Sequence, residues 1–277
     1  MRLIAAARSA LVVLELIVCI RVPAQQRPAP SAKDLVNQMV QAETAAWKVR
    51  QRFQYQSKER SNRTNGLLWE EMVVETRDGS LQRLISEDGI PLSGDQKLAE
   101  DRRIAYLAIH RAAFRRRNQR RREDEARMPE LLREIASIFL FEVAGSDGDY
   151  ARIVFLPNPA FQEQSFQDRV VHAMAGELVI HTPDMRLCKL DAHLQHKVEF
   201  GFGILGVLND KTRLSLSREP VSPGQWTTAK IRIHMDGSIL FLKSISRDLD
   251  SSRYGFKPVA HDLNVAQAAA IVNSNTY

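Results

Sequence analysis

Between residues 33 and 48 the apolar positions fall on one stripe. Leu35, Met39, Val40 and Ala42 or Ala46 repeat at the helical period. Ser31, just ahead of Ala32, supplies an N-cap, so the pattern predicts an amphipathic helix over Lys33–Lys48. The period then changes to two. Phe53 and Tyr55 alternate with polar residues, a turn follows at Ser61–Gly66, and Leu67–Arg77 carries Trp69, Val73 and Val74. Asp78-Gly79 reads as a hairpin turn into a return strand at Leu81–Ser86. From about Gly94 the helical period returns, with Leu98, Ile104, Leu107, Ala108, Ala112 and Phe114 on one stripe. Pro129 reads as the start of a second helical piece, whose buried side is Leu131, Leu132, Ile135, Ile138 and Phe139.

After Leu140 the chain predicts strands at Phe139–Ala144, Ala151–Leu156, Gly176–His181 and Leu187–His196. Three more follow at Thr212–Arg218, Trp226–His234 and Ile239–Asp248. Turn residues at Ser146–Asp149, Thr182–Asp184, Pro220–Gly224 and Asp236-Gly237 separate several of them, which argues an antiparallel meander. Asn264–Val272 reads as a short Ala-rich helix. The expected fold is α+β: a curved antiparallel half-barrel sheet, helices on its concave side, a long helical insertion over 95–138, and an apolar cavity between the layers.

The N-terminus changes the functional picture. Arg2 and Arg8 precede a short apolar run from Leu11 to Ile20, and Val22-Pro23-Ala24 follows with small residues. This is the pattern of a secretory signal peptide over residues 1–24, with cleavage before Gln25. The alternatives are lipidation at Cys19 or an uncleaved anchor, and Glu15 interrupts the apolar run. Residues 25–31 read as a Pro-rich linker, 32–254 as one domain and 255–277 as a tail. The localisation expected is the periplasm or cell envelope. Export leaves Cys188 as the one cysteine, so no intramolecular disulfide is expected.

Net charge is +6, but it is local. Arg111–Arg127 holds eight arginines against Glu123, Asp124 and Glu125, a net of +5, while the rest of the exported chain is near neutral. Six of these arginines (Arg115, Arg116, Arg117, Arg120, Arg121 and Arg122) are candidate contacts for anionic headgroups on a membrane surface, since a planar guanidinium suits phosphate oxygens. The bland reading is a solvated helix face partly neutralised by its own acids. Nucleic acid is not an expected partner, because no stacking aromatics or recognised fold surround the basic run.

Several residues resemble a known family. The extended run Phe53–Arg60 and the block Ser86–Ser93 precede a helix rich in acids and bases. Downstream come Gly176–His181, Val198–Gly203, Trp226 with its strand, and Leu240-Phe241. Together they resemble the LolA/LolB/RseB-like superfamily of exported bacterial envelope proteins. The resemblance covers roughly Ala32–Tyr254 and rests on strand and turn patterns. It implies an incomplete antiparallel barrel that holds acyl chains or lipidated peptides, without catalysis. The arginine-dense insertion departs from the simplest members.

Other chemistry is sparse. Asp191, His193 and His196 have metal-ligand character, but on a strand only the first two share a side, too few for a closed site. Gly201, Gly203 and Gly206 match a dinucleotide spacing formally, yet no βαβ unit surrounds them. No G-x-S-x-G elbow occurs, and Asn62-Arg63-Thr64 reads as a turn. Phe200, Phe202, Leu205 and Leu208 in the apolar Gly-rich stretch are the candidate ligand-binding residues, as a hydrophobic flap at a cavity mouth or as a loop under the sheet. No catalytic residue, metal or cofactor is expected. The expected function is non-enzymatic binding of a lipid, lipoprotein acyl chain or other apolar ligand. The alternative is an envelope sensor or adaptor that binds a protein partner through the sheet or the basic helix.

Overall fold

The computed structural model describes residues 30–200, 206–239 and 242–274; for Phe200, Ile239 and 242–246 only the backbone is described. The expected signal at 1–24 and most of the linker lie outside those residues. Helix α1 (Ala32–Lys48) starts where Ser31 predicts. Ser31 Oγ accepts from the Asp34 amide at 3.1 Å and the Asp34 carboxylate accepts from the Ser31 amide at 3.2 Å, a reciprocal cap. The strands β1 (Arg52–Ser61), β2 (Leu68–Thr76) and β3 (Gly79–Glu87) follow, then the two-residue β4 (Ile90–Pro91). The β2–β3 loop is Arg77-Asp78, with Gly79 already paired to Thr76. Gly79 has φ +139°, and a Cβ there would sit 2.3 Å from Asn118 Cγ. The glycine lets Asn118 reach in and accept from the Ser80 amide at 3.0 Å.

The helical insertion consists of α2 (Gly94–Ile109), α3 (Arg111–Arg117) and α4 (Gln119–Ile138). Pro129 does not begin a helical piece; it lies inside α4. Its missing N–H costs one helical hydrogen bond. The turns after it hold because Leu132, Ile135 and Ile138 pack the same side of α4 on the core. Next come β5 (Phe139–Asp147), β6 (Tyr150–Pro157), the unexpected short α5 (Phe166–His172), β7 (Met174–His181) and β8 (Arg186–Leu194). The short β9 (Val198–Phe200) and β10 (Gly206–Leu208) precede β11 (Arg213–Ser222), β12 (Gln225–Ile239) and β13 (Leu242–Val259), and α6 (Val265–Ser274) follows.

The fold is α+β, as expected, with one large, open antiparallel sheet in the order β4-β3-β2-β1-β13-β12-β11-β8-β7-β6-β5. It is not a plain meander. The first strand pairs with the last, from Arg52 opposite Val259 to Ser61 opposite Leu249. One further expectation changes. Asp236-Gly237 is no turn, since β12 runs through it. Gly237 is there because a Cβ would meet the Val207 carbonyl oxygen at 2.5 Å, so β10 can pair closely with β12. After residue 254, β13 continues to Val259, and α6, at the place of the expected Ala-rich helix, buries Val265, Ala268, Ala269 and Val272.

Two packed layers meet the sheet. On β2, Val74 packs in a cluster with α2, α3 and α6, while its neighbour Glu75 faces Arg121 of α4. Successive strand residues point to opposite faces, so α4 and α6 lie on opposite sides of the sheet. The main core is on the α4 side, where Val36 and Met39 of α1 meet Ile153 of β6 and Ile180 of β7, all essentially buried. Burying each such side chain contributes about 1.5–3 kcal/mol.

Candidate functional site

An apolar cavity of about 420 Å3 opens between α1, the C-terminal half of α4, and the strands β5 to β8 and β11. Met39 and Trp47 line it from α1, and Leu132 and Ile135 from α4. Across from them stand Phe139 and Phe141 of β5, Leu178 of β7, Leu190 of β8 and Leu214 of β11. These residues meet because β5, β7, β8 and β11 present alternate side chains to the helical layer. Met128, 38% exposed, is the wall residue that reaches the surface.

The charged wall residues are Glu43 and Arg218. Glu43 sits on the buried stripe of α1 and is only 9% exposed. Arg186 donates to it through Nε and Nη2, both at 3.0 Å, and the Leu187 amide donates at 3.1 Å. Arg218 Nη1 donates to the same carboxylate. Arg186 Nη1 also donates to the Gly224 carbonyl at 3.1 Å, and Arg218 Nη2 to the Trp226 carbonyl at 3.0 Å. One buried acid thus holds two arginines, leaving one net positive charge behind an apolar wall. Reading the sequence did not single out these three residues. The available signal was an acid four residues after Met39, on the apolar stripe of its helix.

The six candidate arginines separate. Arg121 turns inward, with Nη2 3.5 Å from Glu75 and Nε donating to Glu125 at 3.1 Å. Burial opposes its charge, but Tyr55, Glu75 and Glu125 outweigh it and raise its pKa. Glu125 in turn accepts from Arg50 at 2.6 Å, and Arg50 stacks 4.2 Å over the Trp47 ring beside the cavity. Burial pushes the Glu125 carboxyl up, yet the hydrogen bond and charge of Arg50, with Arg121, hold it below the usual carboxylate range. Arg115 lies 3.7 Å from Asp78, which also accepts from Arg111 at 2.7 Å. Arg117 has its pKa lowered by burial and by the cations Arg103 and Arg63. Arg115, Arg116 and Arg122 border a surface hollow formed by α3 and α4, and Arg120 is exposed.

Of the flap candidates, Phe202 and Leu205 lie outside the described residues, and Phe200 is described by its backbone, paired with Gly206. Leu208 is buried against Ala173, Leu194 and Val198. It lines a separate groove of about 400 Å3 with Phe166, Val170 and Met235, and Val171 forms a wall of both this groove and the central cavity. Asp191 and His193 line a larger cleft, about 840 Å3, across the opposite sheet face. Within it Arg232 donates to Asp250 at 3.0 Å across strands, and His234 Nδ1 lies 2.6 Å from Asp248. Cys188 is buried, and burial pushes its thiol pKa up.

The chain matches no family model, no curated protein and no solved structure at significant similarity.

Proposed function

We propose that this is a non-enzymatic cell-envelope protein that binds an apolar ligand, a lipid or acyl chain, in the cavity between α1, α4 and the sheet. The observation that carries this reading is the cavity wall, apolar on the helical and strand sides except for one linked charge network. At about 420 Å3 its volume falls within the range of small-molecule sites, roughly 300–1,000 Å3. Each buried methylene of a ligand chain would contribute about 0.8 kcal/mol.

In the same proposal the sheet is a half-barrel with α1 and α4 on its concave side. Distances along α4 support that. Arg121 meets β2 and Ile138 leads into β5, and these strands are eight strand spacings apart in the sheet. A flat sheet would separate them by about 38 Å. The helix rises about 26 Å over that stretch. The export signal at 1–24 belongs to this reading, as does a headgroup role for the outward-facing Arg116, Arg120 and Arg122.

Native mass spectrometry of the purified protein, with solvent extraction, tests the ligand. Co-purifying lipid, or uptake of a fatty-acid fluorophore by refolded protein, is the expected result; the absence of both would refute the reading. Replacing Arg116, Arg120 and Arg122 by glutamate should weaken binding to anionic liposomes, and unchanged binding would remove the headgroup role. The sensor or adaptor reading draws on the 840 Å3 cleft, whose mixed lining of apolar and charged residues offers a surface for a protein partner. A pull-down that loses its partner on Arg232→Glu but not on cavity substitutions would favour it.

A further inference from the structure

We infer that the cavity selects a single-chain carboxylate, an amphiphile of the fatty-acid class, and that Arg218 receives its head. This deepens the apolar-ligand reading and rests on it. Three observations lead there.

The charge network is unbalanced. Glu43 carries one negative charge and holds two guanidiniums, Arg186 and Arg218. Asp184 is a further acid that acts, like Glu43, on Cys188. It accepts from the Trp226 indole at 3.3 Å, lies 3.1 Å from His181, and its side chain is 48% exposed. It faces solvent and is not part of the cavity wall. A surplus cation in a largely buried wall favours an anion over a neutral ligand, because charges interact more strongly there than in bulk water.

Arg218 is the member of the pair that lines the cavity, and it has donors to spare. Its hydrogen bonds run from Nη1 to Glu43, from Nη1 to the Leu187 carbonyl at 3.4 Å, and from Nη2 to the Trp226 carbonyl at 3.0 Å. A guanidinium has five N–H donors, so Nε–H and one Nη2–H remain among the described contacts. Two N–H groups of a guanidinium are what a carboxylate takes in a bidentate pair. Arg186, by contrast, is committed through Nε, Nη1 and Nη2.

Size and charge together narrow the class. The surplus is one charge, matching a carboxylate rather than a phosphate dianion. The 420 Å3 volume equals about 14 waters at ~30 Å3 each, room for one chain and too little for several.

The test is calorimetric titration of the full chain, purified unfolded and refolded to strip lipid, with laurate and with methyl laurate at pH 8. The chains are the same and only the head charge differs. Laurate should bind about tenfold or more tightly than the ester, the range of a charge-assisted pair. Arg218→Gln should cancel that preference, so that acid and ester bind with the same affinity. Arg218→Lys, which keeps the cation and its pairing with Glu43 but loses the fork, should weaken laurate several-fold and serves where the glutamine variant fails to fold. Equal affinity of acid and ester for the wild type would overturn the carboxylate inference and leave the apolar-ligand reading standing. Binding of neither would overturn both. A preference that survives in Arg218→Gln would overturn the assignment to Arg218.

Discussion

Glu43→Ala is the most informative single perturbation of this fold. The carboxylate accepts four hydrogen bonds, from Arg186 Nε and Nη2, the Leu187 amide and Arg218 Nη1. Removing it leaves two guanidiniums adjacent in a dry wall with no counter-charge. Breaking a buried pair by deleting one partner costs about 3–5 kcal/mol. Arg186 keeps the Gly224 carbonyl and Arg218 keeps the Trp226 carbonyl, which argues for the lower half of that range. For a chain of this size the loss corresponds to a fall in Tm of about 6–16 °C. Urea unfolding followed by circular dichroism measures it, through a lower midpoint at unchanged slope. The companion variant replaces all three residues, Glu43→Met with Arg186→Met and Arg218→Leu. It removes the desolvation cost with the charges and should match the wild type or exceed it. A loss below about 1 kcal/mol for Glu43→Ala would refute the reasoning. So would a triple variant less stable than the single one.

Other expectations follow from named contacts. Glu59, Glu100 and Glu125 are each pushed up by burial but held below the usual carboxylate range by Arg63, Arg103 and Arg50 respectively. Their folded pKa values lie below the unfolded ones, so stability is full at neutral pH and falls as pH drops below about 5; acid titration of unfolding that is flat to pH 3 would contradict this. Gly237→Ala places a Cβ 2.5 Å from the Val207 carbonyl oxygen and should loosen β10, costing about 1–3 kcal/mol; faster hydrogen exchange at residues 206–208 is the readout. Burial pushes the Cys188 thiol pKa up, so the peptide carrying it should resist alkylation at pH 8 until urea unfolds the chain; prompt native labelling would show the thiol is accessible.

Local signals in this sequence mapped well where they were satisfied locally. Ser31 and Asp34 cap a helix within four residues, and the alternation through Phe53 and Tyr55 gives a strand with both rings buried. Signals failed where a distant contact decided the outcome. Pro129 punctuates a sequence, yet Leu132, Ile135 and Ile138 after it pack on the core and the helix passes through it. Asp236-Gly237 has turn composition, but that glycine answers the approach of β10. The pairing of β1 with β13 joins residues about two hundred positions apart, and neither strand's own pattern names its partner.

The cavity divides in the same way. Its apolar walls were legible, because Met39, Leu132, Ile135 and Phe139 stood on stripes that had to face something. Its charges were not. An acid on the apolar stripe of α1 conflicts with that stripe, and the conflict is resolved only by Arg186 and Arg218, 143 and 175 residues further on. A hydrophobic residue at Glu43 would have packed at lower cost. The fold instead assembles three charges from α1, β8 and β11 and leaves one of them uncompensated beside an apolar cavity. Dense arginines on α3 and α4 drew the eye because they adjoin in sequence, yet Arg121 turns inward and Arg115 shares Asp78 with Arg111. On the proposed ligand-binding reading, Arg218, which lines the cavity, matters more than the cluster.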